Sequence, residues 1–164
     1  MAKVLFVCTG NVCRSPMAEG FYRELTKGDP SHQAASAGIS AVEGLPPSEH
    51  SVEVMRRRAG IDISRQRSRQ LNPRMVREAT HIFVMTSGHK LAVETMYPAA
   101  AEKTFLLLEP AAGENAIRDA PWSLDVPDPI GQGADVYVAT MELIGAAMPS
   151  VVEFVRSTDG KNVD

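Results

Sequence analysis

The stretch Val4 to Pro16, V-L-F-V-C-T-G-N-V-C-R-S-P, constrains the fold of this chain more than any other. Val4-Leu5-Phe6-Val7 is short, rich in branched side chains and apolar on both faces, so it reads as a buried parallel strand. It stops at Cys8. A loop of mostly small residues, Thr9-Gly10-Asn11-Val12-Cys13, leads to Arg14. Ser15 then reads as an N-cap and Pro16 as the first residue of a helix. A strand that ends in a loop feeding a helix N-terminus is where open α/β sheets bind ligands and where unpaired N–H groups attract anions.

The spacing narrows the chemistry. The residues between Cys8 and Arg14 have the right number to curl their N–H groups inward as a nest for an anion. Gly10 and Asn11 tolerate the positive φ that such a curl requires. Arg14 closes the ring with a planar fork that matches two oxygens of a tetrahedral anion. Cys8 then lies at the bottom, facing the anion's centre, and the surrounding N–H groups, helix end and Arg14 all favour its thiolate. Ser15 Oγ is placed to hydrogen-bond that thiolate and help it leave. A cysteine nucleophile beneath a phosphoryl group implies phosphoryl transfer through a phosphocysteine. A lone cysteine is usually a buried small hydrophobe; here cysteine, glycine, arginine, serine and a preceding strand coincide, and the context decides.

At these residues the chain resembles the low-molecular-weight protein tyrosine phosphatases, whose signature is C-x5-R-S after the first strand and D-P far downstream. Cys8 to Ser15 and Asp128-Pro129 match it. The resemblance extends through about residue 156. In Ser36-Ala37-Gly38, Ser68-Arg69-Gln70-Leu71 and Met85-Thr86 it is most similar to the bacterial branch, some of whose members act on phosphoarginine. The resemblance implies that Thr9 to Ser15 bind phosphate, that Cys8, Arg14 and Asp128 are catalytic, and that Ser36 supports the loop by a hydrogen bond. It also implies a sheet order of 2-1-3-4.

The 164 residues suffice for one core. A net charge of −3 gives no general reason to bind nucleic acid or an acidic membrane. Met1-Ala2-Lys3 runs straight into the first strand, no apolar run approaches membrane-span length, and the chain reads as cytoplasmic. Two cysteines and four scattered histidines make no metal cluster, so no metal or cofactor is expected. The expected partner is a phosphorylated protein, and the chain is expected to be a monomer or weak dimer.

The pattern predicts helices over 15–27, 49–59 (capped by Ser48), 73–79 (Asn72-Pro73), from Thr86 or Ser87 to Met96, and 134–156, the last bent or broken at Gly145 and Pro149. Strands are predicted at 33–37, 81–85 and 104–108, and a long polar loop at 109–127. This alternation makes a single three-layer α/β domain over 1–156, a four-stranded parallel sheet flanked by helices, with a polar tail at 157–164. Arg65, Arg67 and Arg69 read as solvated surface or as a basic rim for a phosphorylated protein. His89 reads as structural or solvated unless a carboxylate lies close.

Asp125-Val126-Pro127-Asp128-Pro129 closes the long loop. Two prolines fix the backbone around Asp128. An expelled phenolate is a strong base, with a pKa of about 10, so it needs a proton. Asp128 is expected to donate one, kept protonated by burial or by the bound dianion, and then to activate water. Asp125 is the weaker candidate.

The leading expectation is therefore a metal-independent protein phosphatase acting on phosphotyrosine, with a protein arginine phosphatase as the alternative. An arsenate-reductase-like redox enzyme is a third reading, disfavoured because it needs cysteines beyond the loop. The substrate signals conflict. Many tyrosine-specific relatives carry two tyrosines after D-P, where this chain has Ile130-Gly131. Arginine-specific members carry threonine at the position of Val12. An apolar floor suits a phenyl ring better than a guanidinium whose N–H groups would go unpaired. Trp122 or Tyr137 is a candidate replacement wall, and Cys13 a candidate redox guard that pairs with an oxidised Cys8.

Overall fold

The computed structural model describes residues 1–160, and of residues 114, 117, 121 and 122 only the backbone. Strand β1, Ala2–Cys8, is buried at every position but Lys3. Its pleat divides its side chains between two cores. Val4, Phe6 and Cys8 join Met17, Ala18 and Tyr22 on one face, and Leu5 and Val7 join Val76, Ala79 and Val93 on the other. Full burial of a side chain such as Phe6 is worth about 1.5–3 kcal/mol, which is why this strand carries no polar face.

Strands β2 (His32–Gly38), β3 (His81–Val84) and β4 (Thr104–Leu106) complete a parallel sheet in the order β2-β1-β3-β4. This is the order that the resemblance implies. The chain leaves β1 for β2 on one side and returns to β3 on the other, so the strand order reverses at the carboxyl end of β1. That end is Cys8, paired in register with Gly38. The reversal opens the crevice in which such sheets bind ligands.

Helix α1, Arg14–Leu25, follows the loop directly. It begins one residue earlier than expected, its N-cap is Cys13, and no side chain caps it. Ser15 is therefore inside the first turn, its hydroxyl spent on the loop instead. Helix α2, Glu49–Val54, is capped by Ser48, which accepts from the Ser51 N–H; its last turn widens into a π-turn over Met55–Ala59 and stops at Gly60, in the left-handed region at φ 68°. Helices α3 (Pro73–Glu78) and α4 (Ser87–Met96) are capped by Asn72 and Thr86. Arg56, Arg57 and Arg58 are solvated.

Two expectations change. Residues 109–127 are not an open loop: they fold into α5 (Glu109–Ala112), α6 (Glu114–Asp119) and a 3₁₀ turn, Pro121–Leu124. Short helices of this length leave too little periodic pattern to read. Helix α7, Ala134–Thr158, runs unbroken through Gly145 and Pro149. Proline costs it one hydrogen bond, but Tyr137, Met141, Ile144, Met148, Val151 and Val155 bury a continuous stripe that outweighs the loss. Gly145 makes room for Phe21 of α1: a Cβ there would stand 2.8 Å from Phe21 Cζ. The helix also takes in Ser157 and Thr158, so the expected tail starts later than 157, and residues 161–164 lie outside the described residues. Among the described residues α7 is the one helix long and apolar enough to cross a membrane by length and composition. Counting unbroken apolar runs missed it because isolated charges divide it. Its apolar stripe is core.

Candidate active site

Cys8 is 3% exposed, at the end of a strand whose neighbours hold it on both sides. Its Sγ lies 2.9 Å from Ser15 Oγ and 3.3 Å from the Asn11 N–H that points at it. A thiolate would thus be met by two donors, one from the curled loop and one from the first turn of α1.

The loop's shape depends on Asn11. It is the one described non-glycine residue with positive φ, 56°, and it is buried. Its amide is fully engaged. Nδ2 donates to Ser15 Oγ at 2.7 Å and to Ser36 Oγ at 2.9 Å, and Oδ1 accepts from the Arg69 N–H at 3.0 Å. Ser36 does reach the loop, and through this asparagine. Gly38 supplies the room: a Cβ on it would fall 2.5 Å from Thr9 O and 3.0 Å from Asn11 N. A left-handed residue without this bonding costs about 1–2 kcal/mol, so the side-chain network is what keeps the curl.

Arg14 is 3% exposed. Its Nη1 donates to Val126 O at 3.0 Å, and its Nη2 lies 3.5 Å from both Thr9 Oγ1 and Asp128 Oδ2. Its Nε is buried without a partner. The guanidinium is pinned at one corner by Nη1, and its Nε is left without a protein partner. Asp128 arrives on the segment that pins it: Oδ1 accepts from the Ile130 N–H at 3.1 Å, and the side chain is 43% exposed. The burial expected of Asp128 as one of two alternatives is not found. Asp125 is committed elsewhere, its Oδ1 accepting from the Ser87 N–H at 2.7 Å at the start of α4.

Several expected residues have other tasks. Cys13 Sγ lies 3.4 Å from Tyr137 Oη and 3.5 Å from Ser48 Oγ, and both cysteines are free thiols. Tyr137 is buried behind the loop, its ring 4.9 Å from that of His50, and burial together with the Cys13 thiol raises its pKa. It packs the loop rather than walling a pocket. Trp122's side chain lies outside the described residues. Val12 is half-buried and Ile130 exposed. Val42 and Leu45 are also exposed, on the segment after β2 whose Ser40 N–H donates to Thr9 O.

Arg69 is expected as solvated surface or as part of a basic rim. Its guanidinium is on the surface, but its N–H holds Asn11 and its carbonyl accepts from the Gly38 N–H at 2.9 Å. Backbone roles leave no trace in residue type. His89 takes the structural of its two expected roles. It is buried, and its Nε2 sits 2.8 Å from Thr9 Oγ1. Burial, reinforced by Arg14 and opposed by Asp125 and Asp128, pushes its pKa down to about 4. An unfolded histidine titrates near 6.5. Between these values the unfolded chain binds more protons, so stability is full above pH about 6.5 and falls as pH drops toward about 4. Burial lowers the pKa of His81 too, adding to the same slope. Urea midpoints at pH 7 and pH 4.5 should show this loss, and His89→Gln should shrink the difference; an unchanged difference would contradict it.

Residues 3–160 match the family model described as low molecular weight phosphotyrosine protein phosphatase. A protein-arginine-phosphatase of Geobacillus stearothermophilus is 36% identical over 155 residues, which cover 94% of this chain and 97% of that one. A probable low molecular weight protein-tyrosine-phosphatase, EpsP, of Ralstonia nicotianae is 33% identical, with 94% and 96% covered. The crystal structure of a low molecular weight protein tyrosine phosphatase from T. tengcongensis superposes with a TM-score of 0.84 at 37% identity, covering 94% of this chain and 99% of that one.

Proposed function

Because the chain belongs to the low-molecular-weight phosphotyrosine protein phosphatase family, we propose that it hydrolyses phosphotyrosine in proteins through a phosphocysteine on Cys8. The observation that carries this reading is the seating of Cys8 Sγ beneath the Asn11 N–H and Ser15 Oγ, beside the pinned fork of Arg14.

In the first step Cys8 Sγ attacks phosphorus as a thiolate. The S–P bond forms, the P–O bond to the phenol breaks, and its electron pair takes a proton from Asp128. In the second step water attacks phosphorus and gives its proton to Asp128. The S–P bond breaks, and the thiolate leaves into the hydrogen bond from Ser15. Arg14 and the loop N–H groups stabilise the equatorial oxygens throughout, which is the charge work a metal performs elsewhere. Asp128→Ala should slow phenyl phosphate by roughly 10²–10³-fold and p-nitrophenyl phosphate far less, since the better leaving group needs less protonation. Equal slowing of both removes Asp128 from this role.

The arginine alternative rests on a specific observation, the 36% identity to a protein-arginine-phosphatase. Against it stand the apolar Val12 in the loop and exposed Val42, Leu45 and Ile130 in segments beside it. A guanidinium among apolar groups leaves N–H donors unpaired, whereas a phenyl ring loses nothing there. The deciding test compares phosphotyrosine and phosphoarginine peptides on the native protein and on Val12→Thr. The native protein should prefer phosphotyrosine, and Val12→Thr should move the ratio toward phosphoarginine by about tenfold, the value of one hydrogen bond. A native preference for phosphoarginine overturns the ranking. Cys13 would guard Cys8 against over-oxidation only by leaving Tyr137 and Ser48; those contacts favour a packing role.

A further inference from the structure

His89, Thr9 and Arg14 form a chain of polar contacts that the two chemical steps do not require. It runs from the first turn of α4, across the catalytic loop, to the guanidinium. Thr9 Oγ1 has one hydrogen and two lone pairs. Arg14 Nη2, at 3.5 Å, is only a donor, so it takes a lone pair. His89 Nε2, at 2.8 Å, either takes the second lone pair with its own N–H or receives the threonine's hydrogen. The other ring nitrogen decides between them. His89 Nδ1 is buried and has no partner. A proton there would be an orphaned buried donor, which folded proteins avoid more strictly than an orphaned acceptor. The proton therefore belongs on Nε2, and both lone pairs of Thr9 are occupied by donors. Its hydroxyl hydrogen is then free to be donated.

We infer that His89 is a positioning residue: its Nε2–H fixes Thr9 so that Thr9 Oγ1 braces the Arg14 fork and turns its hydroxyl hydrogen toward a phosphoryl oxygen. This rests on the phosphatase reading. It adds a side-chain donor to a loop otherwise described by its backbone N–H groups. The brace holds the fork through the transfer, where charge on the equatorial oxygens changes, so its effect falls on kcat. The ring stays neutral at working pH and moves no proton in the reaction.

The test is steady-state kinetics with p-nitrophenyl phosphate on Thr9→Val, His89→Leu, His89→Gln and the double variant Thr9→Val/His89→Leu. Loss of one net hydrogen bond corresponds to roughly tenfold in rate. Thr9→Val and His89→Leu should each lower kcat by about that factor and leave KM within about twofold. The double variant should lose about tenfold too, not a hundredfold, because one brace is removed only once. His89→Gln, whose side-chain N–H reaches the place of Nε2–H, should retain most of kcat. It should also leave the acid limb of the kcat/KM profile between pH 5 and 7 unmoved, since Arg14, Asp125 and Asp128 face that ring and its charge does not change there. Losses that multiply in the double variant, a His89→Gln as slow as His89→Leu, or an acid limb that disappears in His89→Gln would each overturn the inference. A native protein that fails to turn over the substrate would instead overturn the phosphatase reading on which it rests.

Discussion

Replacing Cys8 with serine should abolish turnover while leaving anion binding in place. The loss should be on the order of 10⁴-fold or more in kcat, because an alcohol is a far weaker acid than a thiol and a poorer leaving group from phosphorus, and no general base stands behind it. Ser15 Oγ and the Asn11 N–H, the groups around Sγ, are donors or neutral hydroxyls, and neither takes a proton from serine. The anion site does not depend on sulfur. Arg14 remains pinned to Val126 O, and Asn11 keeps its bonds to Ser15, Ser36 and Arg69. Calorimetric titration with phosphate or vanadate should therefore still give binding in Cys8→Ser. Turnover within tenfold of the native protein would exclude the phosphocysteine mechanism. Loss of anion binding would show that the loop needs the thiol to hold its shape.

Arg14→Lys should be nearly as damaging, by roughly 10³-fold in kcat/KM, the scale on which arginines that stabilise phosphoryl transfer are missed. The reason is geometric. The guanidinium spends Nη1 on Val126 O and still presents Nε and Nη2 in a plane. A lysine ammonium cannot hold that carbonyl and also offer two parallel donors to a phosphoryl group. At this depth, with Arg14 3% exposed, an ammonium is also costly to keep charged. Phosphate inhibition should weaken together with the rate. A variant that keeps within tenfold of native kcat/KM would mean that charge alone, without the fork, does the work.

Much of this arrangement was legible because it is local. Cys8, Asn11, Arg14 and Ser15 lie within one strand-loop-helix junction, and their spacing alone suggests a nest. Asp128 was legible through its two prolines. The rest was not legible because it depends on contacts distant in sequence or on the main chain. The carbonyl of Val126 and the N–H of Arg69 act through the main chain, a role that residue type does not reveal. His89 sits 80 residues from Thr9, and only the pairing of β3 with β1 brings α4 over the loop. Ser15 was misread as a cap for a related reason: its type suits a helix start, but tertiary partners claimed its hydroxyl. The unbroken α7 shows the same balance in the core, where a buried stripe overrode the local preferences of glycine and proline.

The pin on Arg14 has a consequence for synthesis. Arg14 is made before the carbonyl that orients it, which lies 112 residues later in the chain. A chain made only as far as Val126 carries Cys8 together with a guanidinium that this carbonyl does not yet hold. The site acquires its working geometry only after the ribosome has passed Val126, so a product that terminates early contains the signature yet lacks the clasp that makes it useful.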